Sequence, residues 1–137
     1  MKNTILTLLF MPILLLASPD GYEVYKKNCS NCHVESISKN EFVKNISKMK
    51  APPMIEVANQ IKTHIVIKGD DEDVHRKVVI LFIKNYIENP NLEYSLCNPP
   101  AIERFGVMPS QKGKLLEAEK EAVAEWIYDR YEGLKFK

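Results

Sequence analysis

Residues 29–33 read Cys-Ser-Asn-Cys-His, two thiols three positions apart with an imidazole directly after the second. Three chemistries use such a pair: a zinc site, a redox dithiol, and covalent attachment of a haem with the histidine under its iron. Structural zinc wants four protein ligands, and the chain has no second cysteine pair; His64 and His75 are far apart in sequence. A thioredoxin-like dithiol belongs at a strand-to-helix junction in a βαβ pattern, which this chain lacks. On a helix, positions three and four apart are neighbours, so Cys29, Cys32 and His33 would share one face. Two thioether bonds to a porphyrin's vinyl groups and one imidazole ligand can be made from that single face. The motif occurs once, so one covalently attached haem c is expected.

The compartment supports this choice. The chain opens MKNTILTLLFMPILLLAS, with a basic Lys2, an apolar run from Ile5 to Leu16, and small residues at Ala17 and Ser18. That order reads as a secretory signal peptide. The run is interrupted by Pro12 and falls short of the roughly 20 residues that cross a bilayer, so cleavage rather than anchoring is expected. The cut is placed after Ala17, because cutting after Ser18 would leave Pro19 at the first mature position. No cysteine follows the run to carry a lipid. The expected organisation is a signal peptide over 1–17 and one domain over 18–137, exported to the periplasm or beyond, with no membrane span in the mature chain.

Three cysteines are too few for a disulfide framework in an exported protein, so an apolar core must hold the fold. The length suits one domain. Without Lys2, 18 basic residues face 18 acidic ones, and nothing marks a polyanion partner such as nucleic acid.

Glycine is scarce, at five residues, and the apolar periodicity is helical, which predicts an all-α fold. A first helix is expected from Asp20, as N-cap, through the Cys-x-x-Cys-His. A second covers Lys39 to Lys48 and is stopped by Ala51-Pro52-Pro53. A third runs from Met54 to Ile67. A fourth follows the acidic cluster Asp70, Asp71, Glu72 and Asp73, which suits a helix N-terminus; Val74, Val78, Leu81, Phe82 and Tyr86 form its apolar stripe, and Asn89-Pro90 ends it. Residues 91–113 read as irregular. A last helix spans Leu115 to Tyr131, with Leu116, Val123, Trp126 and Ile127 inward.

With these elements in place, the chain resembles the class I cytochromes c over most of the expected mature sequence. That family carries a glycine and an aromatic residue eight and four positions before the first haem cysteine; here those places hold Gly21 and Tyr25. The resemblance implies that Gly21 lets the first helix cross closely over the last, with Trp126 packed at the crossing. Physically, only a residue without Cβ permits such an approach, and a large aromatic fills the remaining groove. The family's sixth iron ligand is a loop methionine, usually followed by proline, and Met108-Pro109 matches it; a thioether raises the reduction potential. The rivals are Met49, at a lysine-flanked helix end where it reads as a surface side chain, and Met54, within "APPM". In many bacterial members a proline carbonyl at such a segment holds the ring N–H of the proximal histidine, a role that falls to Pro52 or Pro53 toward His33, with Met54 packing against the haem.

Other occupants of the sixth position are His64, His75, Cys97 or nothing. Each histidine has an ordinary reading as a solvated or packed side chain, and Cys97 as a buried inert thiol. Two departures from the family pattern fall at Val34, where many members have glycine, and in the long stretch between the prolines and Met108. The resemblance implies a class I-like helical fold around one haem, acting as a one-electron carrier between larger redox proteins. The alternatives are a haem enzyme or enzyme subunit acting on a small sulfur, nitrogen or peroxide substrate, and a haem sensor domain.

Overall fold

A computed structural model describes residues 17–69 and 71–137. The leader read over 1–17 lies, up to residue 16, outside the described residues. Among the described residues the chain is all-helical, with no strand. The helices are α1 (Gly21–Asn28), α2 (Lys39–Asn45, continued by a 3-10 turn at Ile46–Lys48), α3 (Met54–His64), α4 (Glu72–Glu88), α5 (Pro99–Phe105) and α6 (Glu117–Arg130).

Side-chain caps set most of the helix starts. Carboxylate or amide oxygens of Asp20, Asp71 and Asn98 accept the backbone N–H of Glu23, Val74 and Ala101 at 2.9–3.0 Å, and Ser38 Oγ accepts that of Glu41. Each such cap contributes about 1 kcal/mol. At α6 the Glu119 carboxylate reaches back to the N–H of Leu116. The first helix ends at Asn28, earlier than the sequence suggested: the Ser30 N–H donates to Tyr25 O, and Lys26 O accepts the Ser30 hydroxyl instead of a backbone N–H. One further helical turn follows, with the His33 N–H donating to Cys29 O at 2.9 Å.

Helix α6 is the hub, packing on α1, α3 and α4. The core draws Val24 and Tyr25 from α1, Met54, Ile55, Ala58 and Ile61 from α3, and Val123, Ala124, Ile127 and Tyr128 from α6. The α4 contribution corrects the sequence reading: Val79, Ile80, Ile83 and Ile87 are buried, while Val74, Val78 and Leu81 face solvent. Residues 78–83 are all apolar, so two helical stripes compete, and the isoleucine stripe packs inward. Phe82 and Tyr86 are half-buried. Leu116, expected inward, is exposed at the N-cap, and Leu115 is buried in its place.

Outside this core, α4 and α6 are laced by ion pairs, Lys84 to Glu117 and Glu121, Lys120 to Glu88, and Arg76 to Asp129 and Glu125, while Lys120 also pairs with Glu117 within α6. Hydrogen bonds from Lys120 and Lys84 hold the Glu117 carboxyl down at about 2.

Candidate functional site

Gly21 is where α1 meets α6. A Cβ there would stand 2.2 Å from the Ala122 carbonyl oxygen and 2.6 Å from Trp126 Cβ, so only glycine allows this separation. One turn on, Tyr25 stacks on the Trp126 indole with ring centroids 4.6 Å apart. The crossing positions the end of α1, and therefore the turn that carries Cys29, Cys32 and His33.

Those three side chains line one cavity. Its walls include Ala51, Pro52, Met54 and Ile61, then Phe82, Ile83, Tyr86 and Ile87 from α4, Leu96 and Cys97, and Ile102, Val107 and Met108 around α5 and the loop after it. The lining is largely apolar. Cys29 is half-buried and Cys32 exposed, so the site opens to solvent beside Cys32. Burial, with a smaller contribution from Cys32, pushes the Cys29 thiol up to about 11, which keeps it protonated at neutral pH.

His33 Nδ1 lies 2.8 Å from the Pro52 carbonyl oxygen. A carbonyl only accepts, so Nδ1 carries the proton and Nε2 holds the free lone pair. Burial drives the imidazole pKa below its ordinary value, and the Pro52 hydrogen bond opposes this in part. Pro52 rather than Pro53 supplies the carbonyl for a simple reason: Pro53 O is used by the first turn of α3, accepting from the N–H groups of Glu56 and Val57. Pro53 is buried and does not line the cavity.

The structure separates the other candidates. Met54 and Met108 both reach the cavity, but Met54 is a core residue, 3% exposed, at the start of α3, whereas Met108 sits on the loop between α5 and α6. Neither His64 nor His75 lines the cavity. His64 is exposed, with Nδ1 at Gln60 O. His75 is engaged at both nitrogens, Nδ1 by the Tyr128 hydroxyl and Nε2 by the carbonyls of Lys62 and Ile65. Cys97 stays half-buried in the wall, its thiol pKa raised by burial first and by the nearby Glu56 carboxylate, with a Ser95 hydrogen bond opposing.

Sequence reasoning missed α5, which lies in the stretch read as irregular, and the cavity residues it brings. Asn98 followed by Pro99 is an N-cap with proline at the first helical position, a signal strong enough to have found it.

The donor set suits the haem expected from the motif. Two thiols, an imidazole with its Nε2 lone pair free, and a thioether meet at one apolar cavity. Among the described residues no cluster of three or more His, Cys, Asp or Glu side chains is arranged to hold a metal ion by itself.

No protein-family model matches the chain, and no solved structure does. The chain is 42% identical over 119 residues to an uncharacterized protein of Aquifex aeolicus (strain VF5), a match covering 81% of this chain and 73% of that one. It belongs to the same family as that protein.

Proposed function

We propose that the protein is a small exported monohaem c-type cytochrome of class I-like fold, a one-electron carrier between redox protein partners. The observation that carries this reading is the convergence of Cys29, Cys32, His33, Met108 and the Pro52 carbonyl on a single apolar cavity. When bound, the haem supplies an iron that exchanges one electron between ferric and ferrous states. Cys29 and Cys32 would hold it through thioether bonds, His33 Nε2 and the Met108 sulfur would ligate it, and Pro52 O would keep the imidazole in one tautomer and orientation. The apolar walls exclude water, and the opening at Cys32 is where a redox partner would approach. Export rests on the leader sequence.

Acid-acetone extraction should leave haem on the polypeptide; release of the haem would overturn covalent attachment. The ferric protein should show the weak near-infrared charge-transfer band of methionine ligation. Met108→Ala should abolish it, lower the reduction potential and open the iron to carbon monoxide, whereas Met54→Ala should leave the band in place. Cys97 in the same wall is the observation that favours a different sixth ligand. A thiolate-type spectrum lost in Cys97→Ser would transfer the role to it and shift the reading toward an enzyme.

A further inference from the structure

The segment that leaves the Cys-x-x-Cys-His turn has its carbonyls taken one after another. His33 O accepts the Tyr25 hydroxyl at 2.6 Å. Val34 O accepts the Met54 N–H at 2.7 Å. Glu35 O accepts the Tyr131 hydroxyl at 2.7 Å and the Ile55 N–H at 3.3 Å. The two phenols come from opposite ends of the chain, and both are aimed by one indole: Tyr25 lies flat on Trp126 and Tyr131 meets it edge-on at 5.9 Å. Both tyrosines are 2% exposed. Met54 and Ile55 come two and three residues after Pro52 in the chain, so these bonds tie both sides of the His33 Nδ1–Pro52 O contact into one frame. Burial keeps Tyr25 protonated up to about 12.

We propose that Tyr25 and Tyr131 are positioning residues for the His33 imidazole, their hydroxyls holding the His33–Glu35 backbone so that Nδ1–H stays on the Pro52 carbonyl. The inference rests on the reading of His33 as an iron ligand and deepens it. A firm hydrogen bond from Nδ1 makes the imidazole a more basic ligand, which favours ferric iron and lowers the reduction potential. Loss of either hydroxyl loosens the frame, weakens that bond and raises the potential.

The test uses the holoprotein with Tyr25→Phe, Tyr131→Phe and, as control, Tyr22→Phe, whose ring packs on Trp126 at 5.6 Å from the solvent side. The rings stay in each variant and only hydroxyls are lost. Voltammetry should show a higher potential in the first two, highest in the double variant, and the wild-type value in the control. Amide exchange at Met54 and Ile55 should accelerate at least tenfold. Accelerated exchange with an unchanged potential overturns the positioning role, leaving the hydroxyls merely structural. Release of haem on extraction would strike the parent reading alone. The His33 Nδ1–H resonance of the haem-free chain then decides, moving upfield on loss of either hydroxyl if the inference holds and staying put if it does not. Should a variant fail to accumulate, the wild-type protein must show slowly exchanging Tyr25 and Tyr131 hydroxyl protons close to the His33–Glu35 backbone; fast exchange of both refutes the frame.

Discussion

Cys97 is the thiol that thioether attachment would leave unused, and its surroundings determine its chemistry. Half-buried in the cavity wall, with its pKa above the ordinary 9.0, it is mostly protonated at neutral pH, and the thiolate is the reactive form. Native protein should therefore alkylate slowly at neutral pH, with a rate still rising beyond pH 9.0, while unfolded protein reacts at the rate of a free thiol. Stopped-flow labelling against pH measures this; a plateau below that value would mean a depressed pKa and a reactive site. That Cys29, Cys32 and His33 would meet at one place was legible, because spacing alone puts three donors on one turn. The choice between Pro52 and Pro53 was not, since it depends on which carbonyl the first turn of α3 consumes, a question of backbone hydrogen bonding that composition does not answer.

For helices, the crossing of α1 and α6 gives the sharpest prediction. In a solvated helix Gly→Ala is favourable by roughly 0.5–1 kcal/mol. At Gly21 the new methyl would collide with backbone at Ala122, so the helices must separate. Gly21→Ala should destabilise by an amount at the upper end of the roughly 1–3 kcal/mol seen for overpacking, read as a lowered denaturant midpoint at unchanged slope; a stabilised variant would refute the close crossing. Helix existence was largely legible, because the caps at Asp20, Ser38 and Asp71 and the breaks at Pro52 and Pro90 are local signals. Which face of α4 turns inward was hidden. With residues 78–83 uniformly apolar, the phase is decided by what α6 and the cavity present to it, and that is tertiary information. Phe82 and Tyr86 kept the cavity side while Val74, Val78 and Leu81 were left to solvent.

Among the described residues helices α1, α3 and α4 pack on α6, and an apolar cavity lies beside that core. The cavity walls include core residues such as Met54, Ile61, Ile83 and Ile87, whose side chains lose packing partners when nothing fills it. On the proposal that haem fills the cavity, a Cys29→Ala, Cys32→Ala chain should melt on the order of 10 °C lower than the wild-type protein, as for a loss of a few kcal/mol in a domain of this size. Circular dichroism on heating measures it, and coincident melting curves would argue that no group occupies the cavity. The contact that closes this bundle joins Gly21 to Ala122 and Trp126, about a hundred residues further along. Closing so long a loop is entropically slow and lowers the folding rate. During synthesis the Cys-Ser-Asn-Cys-His segment is complete long before α6 exists to hold α1 in place. Until α6 arrives, the turn that carries both thiols lacks the partner that positions it.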